Sequence, residues 1–246
     1  MVLMLSYTYR DIAKMIDHSL LNPSLTTEAL EEGCRLAVAY DVASVCIMPY
    51  ALRRCSELLR ESDVKSSTTI GFPHGANTTA IKLAEVRQAL ANGGQELDMV
   101  VNISKVLSGD WSYVTDEIRA LTDATHAGGA KVKVIFENCF LNNEQKIRLC
   151  EICTDANCDW VKTSTGYGSG GATMEDLHLM RKHAGPQVQV KAAGGVRDLD
   201  TLLQVRALGV SRCGATRTAS MLDECRKRLA LGVIAVVAGT AAPVGY

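Results

Sequence analysis

Short strand-like runs alternate with longer helical patterns along this chain, and that alternation narrows its fold more than any other feature. Strand, helix and strand in repeated succession is the signature of βαβ units, whose crossovers return the chain in the same direction and so build a parallel sheet. Eight runs can be read, at 15–20, 44–48, 67–71, 97–102, 131–137, 160–165, 188–193 and 211–214, which is the number that closes a barrel. The intervening helices have recognisable starts, such as Thr173-Met174-Glu175-Asp176, and recognisable stops at Gly93, Gly128 and Gly209. No linker, low-complexity tract or repeat interrupts the series, and 246 residues match the roughly 250 of a typical barrel. The expectation is an α/β protein, a single (β/α)8 TIM barrel in which residues 1–246 form one domain.

Composition bears on partners and compartment. With 26 basic and 27 acidic residues the net charge is −1, which leaves no cationic reserve for a nucleic-acid backbone. No uncharged apolar run approaches the roughly 18 residues of a membrane span, and residues 1–10 lack the basic region and small-residue cleavage site of a signal peptide. The nine cysteines are odd in number, and Cys34, Cys46 and Cys213 lie in apolar or strand-like runs where cysteine behaves as a small hydrophobe. These features predict a soluble, unprocessed, cytoplasmic protein with neither nucleic acid nor membrane as partner and a homodimer as a possible assembly. Cys150, Cys153 and Cys158 imitate a metal knuckle, yet no fourth ligand follows, so they read as packing for a helix over 143–157. The five histidines, His18, His74, His126, His178 and His183, show no H-x-H or H-E-x-x-H spacing. Neither a metal nor another cofactor is expected.

Splitting each strand by its period of two separates an apolar face from a chemical one. Leu97, Met99 and Val101 oppose Glu96, Asp98 and Asn102; Val132, Val134 and Phe136 oppose Lys131, Lys133 and Glu137. Val161 opposes Lys162 and Ser164, Val188 and Val190 oppose Gln189 and Lys191, and Val45 and Ile47 oppose Ser44 and Cys46. Helices cover the outside of such a barrel, so the apolar faces should point outward, leaving Cys46, Asp98, Lys133, Lys162 and Lys191 in one enclosed space. Lysine is depleted in strands and is seldom buried without a partner, so three of them here need either a network of ion pairs or a chemical use.

The chemical use is Schiff-base formation, which requires a neutral amine. At the ordinary pKa of about 10.4, only about one lysine in two thousand is neutral at pH 7, and each unit of depression multiplies that fraction tenfold. A neighbouring cation and a dry wall both depress it. Lys162 and Lys191, on adjacent strands, supply such a pair, and a carboxylate such as Asp98 could relay protons. Other polar groups share the strand face of Asp98, so this residue reads as needed for proton transfer and not for folding. Alternation alone does not say which lysine attacks.

Three glycine-rich segments follow these strands. Residues 166–171 match G-x-G-x-x-G, but the strand before them carries Lys162 and two threonines and no acidic strand end follows about 20 residues on, which argues against a dinucleotide site. Gly194-Gly195-Val196-Arg197 and Gly214-Ala215-Thr216-Arg217 follow the seventh and eighth runs, where barrels often cradle a phosphate, and their two arginines stand in register.

Together the segments Asp17-His18-Ser19-Leu20-Leu21, Val45-Cys46-Ile47-Met48-Pro49, Gly71-Phe72-Pro73-His74-Gly75, Glu96 to Asn102, Lys133 to Glu137, Val161 to Gly166 and Val190 to Arg197 resemble deoxyribose-phosphate aldolases. The resemblance implies reversible cleavage of 2-deoxy-D-ribose 5-phosphate, a small phosphorylated sugar, to acetaldehyde and D-glyceraldehyde 3-phosphate. It implies Lys162 as the Schiff-base former, Asp98 as the relay carboxylate and Lys191 as the residue tuning Lys162. For substrate binding it implies Cys46, Lys133, Thr165, Gly166, Gly194, Gly195, Arg197, Gly214 and Thr216. Ser19 stands where the family usually has Thr, and Thr216-Arg217 stand where it usually has small residues. Two rivals are a transaldolase-like enzyme and a phosphosugar-binding protein without turnover. Residues 239–245 read as a frayed tail, with the alternative that the Tyr246 phenol reaches the barrel mouth.

Overall fold

The structure, a computed structural model, describes residues 7–232. The chain runs through α1 (Tyr9–Ala13), β1 (Ile16–Leu20), α2 (Thr27–Ala39), β2 (Ser44–Ile47), α3 (Leu52–Leu59), β3 (Lys65–Ile70), α4 (Thr79–Ala91), β4 (Glu96–Val100) and α5 (Ile103–Leu107). It continues through α6 (Trp111–Ala127), β5 (Lys131–Ile135), α7 (Asn143–Asp155), β6 (Trp160–Lys162), α8 (Met174–His183), β7 (Gln189–Ala193), α9 (Leu199–Ala207), β8 (Arg212–Ala215) and α10 (Thr218–Arg228). All eight strands are parallel, pair in sequence order and close as β1 meets β8. The eight-run reading therefore holds, with shifts of one to three residues at the ends. The tail at 239–245 and Tyr246 lie outside the described residues.

The period of two decides the layers. Leu97, Met99, Val101, Val132, Val134, Phe136, Val161 and Val190 point outward and join one core with Val114, Ile118 and Leu121 of α6 and Leu149 of α7. Burying each such side chain contributes roughly 1.5–3 kcal/mol, so the outer layer ties helices to the sheet while the inner face is left for polar groups. The helix signals behave similarly: Thr173 caps α8 by accepting from the Asp176 N–H at 3.1 Å. At the end of α6, Gly128 is the cap with ordinary φ, and the left-handed turn falls one residue later, at Gly129 with φ 75°.

Three residues assigned to the interior by alternation lie elsewhere. Lys131 starts β5 at the barrel rim, is exposed, and holds its ammonium 5.3 Å from the centre of the Trp160 ring. Asn102 follows the end of β4 and turns to cap α5, accepting from the Lys105 N–H at 3.2 Å. Glu137 follows β5 in the left-handed region, φ 58°, and binds the segment after β6 instead of a lysine. In each case the residue stands at or past a strand end, where the period of two no longer governs direction.

Candidate active site

Parallel register sets the heights of the inward side chains. Asp98 of β4 stands opposite Lys133 of β5, and Lys162 of β6 stands opposite Lys191 of β7. The Asp98 carboxylate is the hub: its Oδ2 accepts from Lys162 Nζ at 2.7 Å and from Lys191 Nζ at 2.8 Å, and its Oδ1 accepts from Lys133 Nζ at 2.9 Å. A second carboxylate, Asp17 of β1, meets Lys191 at 2.5 Å, Lys133 at 3.1 Å and Arg212 of β8 at 2.6 Å. Glu96 completes the floor, 2.6 Å from Lys133 and 2.8 Å from Arg212. Four cations thus face three carboxylates in a water-poor interior, and only with one cation neutral do the charges balance.

Of the three lysines, Lys162 is the one whose charged form is disfavoured. Burial, and then the positive charge of Lys191, push its pKa below the ordinary lysine value against the opposing pull of Asp98. Burial acts on Lys191 and Lys133 as well, but the carboxylates of Asp17 and Asp98, with Glu96 added for Lys133, outweigh it and hold both pKa values above the ordinary one. Asp98 and Asp17 are themselves buried, yet the surrounding lysines keep them ionised far below the usual carboxylate range. The Cys46 thiol is pushed up by burial and then by the Asp98 charge, so it remains a neutral neighbour.

Above this floor opens a cavity of about 340 Å³. Lys162, Lys191 and Cys46 reach it, as do Thr165, Gly166, Gly194, Gly195, Arg197, Gly214 and Thr216, which brings together ten of the twelve residues singled out in the sequence. Asp98 lies directly behind Lys162 and Lys191. Lys133 stands apart from these ten: it is wholly buried beneath Asp98, its ammonium meets three carboxylates, and it does not line the cavity. Alternation signals only that Lys133 points inward, not how deep it lies.

Asp17 and Arg212 were missed as site residues. Asp17 lines the cavity and alternates with Ser19 in the first strand, so its parity was readable; Arg212 opens β8, a strand of four residues in which too few alternate to show a pattern. Of the two arginines read in register, Arg197 lines the cavity, whereas Arg217 is exposed at the start of α10 and does not. His18 points out of the barrel, buried against α10 with Nδ1 2.8 Å from Thr218 Oγ1, and burial lowers its pKa to about 4, so it is neutral near pH 7. His74 is exposed. Among the described residues no cluster of three or more His, Cys, Asp or Glu is arranged to hold a metal ion, and Cys150, Cys153 and Cys158 are buried free thiols.

The loop at 166–171 is placed by its neighbours on two sides. Thr165 gives its N–H at 3.2 Å and its hydroxyl to the Glu137 carboxylate. On the other side Gly171 packs backbone to backbone on Gly194, so closely that a Cβ at 171 would stand 2.6 Å from the Gly194 carbonyl carbon. Ala172 N–H donates to the carbonyls of both Ala193 and Gly194, each at 3.0 Å. The glycines here serve close loop packing over the cavity.

The chain is 65% identical over 235 residues to the deoxyribose-phosphate aldolase of Rhodopirellula baltica, spanning 96% of this chain and 98% of that one. Among solved structures it is similar to the aldolase QR15, at 35% identity and a TM-score of 0.85 over 89% of this chain and 98% of that one. It also resembles the tetrameric deoxyribose phosphate aldolase of Aeropyrum pernix, at 28% identity and a TM-score of 0.83 over 90% and 93% of the two chains. The model of DeoC/LacD family aldolases matches residues 12–227, which carry every strand and the whole buried network. The chain belongs to the DeoC/LacD aldolase family.

Proposed function

We propose that this protein is a class I aldolase, a single catalytic domain that reversibly cleaves 2-deoxy-D-ribose 5-phosphate to acetaldehyde and D-glyceraldehyde 3-phosphate through a Schiff base on Lys162. The observation that carries the reading is that Lys162, alone among the clustered lysines, combines a depressed pKa with a place on the cavity. Its neutral Nζ adds to the C1 carbonyl of the open-chain sugar, and the carbinolamine loses water to give a protonated imine. That imine draws the electrons of the C2–C3 bond as the C3 hydroxyl gives up its proton, releasing glyceraldehyde 3-phosphate. The remaining enamine takes a proton at C2, and hydrolysis frees acetaldehyde and Lys162. Asp98 Oδ2 touches both Lys162 and Lys191, so it offers a two-bond path for the protons that these steps move.

The phosphate is assigned to the loop side of the cavity, where Arg197 and the glycine-rich segments after β6, β7 and β8 converge. Gly171→Ala forces the loop at 166–171 away from Gly194. KM for the phosphorylated sugar should rise by roughly 10- to 100-fold, the loss of about one hydrogen bond to a charged group, with a much smaller change for 2-deoxyribose. Equal effects on both sugars would remove the phosphate from this side.

The function is tested by incubating the protein with 2-deoxyribose 5-phosphate, assaying both aldehydes, and reducing with borohydride in the presence of acetaldehyde. An adduct mapped to Lys162 supports the reading; absence of both products and adduct leaves a binding protein. Cytoplasmic residence and self-association, with the homodimer as its smallest form, belong to the same reading. They are supported by nine free cysteine thiols, by the lack among the described residues of any helix long and apolar enough to cross a membrane, and by the tetrameric Aeropyrum pernix relative.

A further inference from the structure

The cavity belongs to one side of the barrel. Its lining comes from β1, β2, β6, β7 and β8 and from the segments after β1, β6, β7 and β8, and among the described residues none from or after β3, β4 or β5 contributes. Beside that lining, though not itself part of it, stands one aromatic side chain. Tyr167, in the loop after β6, donates its hydroxyl to the Leu21 carbonyl at 2.6 Å and meets the Phe72 ring edge-on, with centres 5.4 Å apart. Leu21 follows β1 and Phe72 follows β3, so a single residue bridges three segments whose strands are not neighbours.

The base of this bridge is fixed. Tyr167 N–H donates to Thr165 Oγ1 at 2.9 Å, and Thr165 is in turn held by Glu137. Next in the chain, Gly168 lies so near Cys139 that a Cβ there would stand 2.8 Å from its Sγ. A tyrosine suits the span: a stiff ring covers the distance with few rotatable bonds, and the phenol at its tip finds a carbonyl. The backbone on either side of Tyr167, at Gly166 and Gly168, lines the cavity, as does Leu21 at the far end of the bridge.

We propose that Tyr167 is a specificity-determining wall, which separates the cavity from the space above β3 to β5 and limits the length of aldehyde that can stand against the Lys162 adduct. This rests on the aldolase reading above. Longer chains are excluded because the bridge blocks the direction in which they would extend, and the open direction leads to Arg197 and the glycine-rich loops.

The experiment measures kcat/KM for addition of acetaldehyde to linear aldehydes of increasing length, each relative to glyceraldehyde 3-phosphate. Tyr167→Ala should raise the relative value by about fourfold for each methylene that enters the opened space. Tyr167→Leu, which keeps an apolar contact for Phe72 but cannot reach Leu21, should shift in the same direction and serves if the alanine variant does not fold. Tyr167→Phe keeps the ring and should retain the wild-type length profile. Unchanged length profiles in both shortened variants overturn the proposal alone. A wild-type protein that forms no acetaldehyde adduct refutes the aldolase reading, and the wall with it.

Discussion

Lys162→Met abolishes the borohydride-stable acetaldehyde adduct at every pH, whereas Lys191→Met keeps it and moves its pH profile. The difference follows from the two environments. In the proposed reaction Lys162 is the nucleophile; its pKa is held down, first by burial and then by the Lys191 charge, so its neutral fraction rises with pH through a value below that of free lysine. Removing the Lys191 cation also leaves Asp98 Oδ2 with Lys162 as its one remaining lysine, since Lys133 binds the other oxygen. Both changes favour the charged form, so the Lys162 pKa climbs. Trapping at pH 7 falls tenfold for each unit of that climb and recovers as the pH is raised. Because burial is the larger cause and persists in the variant, the profile moves only part of the way to free lysine. A pH series with peptide mapping decides the matter: an adduct on Lys191, or a Lys191→Met profile that has not moved, overturns the assignment.

Asp98→Asn should lower turnover by roughly 10²- to 10⁴-fold, the range for a general acid–base group, and it should also weaken the fold. The second effect departs from the expectation that Asp98 serves proton transfer alone. Its carboxylate compensates three buried lysines, and removing one partner of a buried ion pair typically costs about 3–5 kcal/mol. The two roles separate in a double variant. Asp98→Asn with Lys133→Met takes out one charge of each sign and restores the balance of the floor, so denaturation should show part of the lost stability returning while turnover stays low. Recovery of turnover along with stability would make Asp98 a structural residue only; a stable Asp98→Asn single variant would mean that the lysines there are already compensated by Asp17 and Glu96.

The barrel and the inward set of Asp98, Lys162 and Lys191 were legible because strand alternation and helix caps are local: a period of two can be read within five residues. The same locality explains the errors. Asn102 and Glu137 sit beyond strand ends, where capping of α5 and a left-handed turn redirect them. The depth of Lys133, the partnership of Asp17 with Arg212 and the choice of Lys162 as the least charged lysine depend on which residues share a height around the closed sheet. That height is set by the stagger between neighbouring strands and by the meeting of β1 with β8, residues nearly 200 positions apart in the chain. Tyr167 is the clearest instance, since nothing in residues 166–171 announces a partner at Leu21 or Phe72. By itself the sequence determined how many strands there are, which way their side chains face and which groups can do chemistry, because these follow from nearest neighbours along the chain. The tertiary structure alone decided which charges meet and what closes the cavity, because electrostatic and packing energies depend on distance in space and not on distance in sequence.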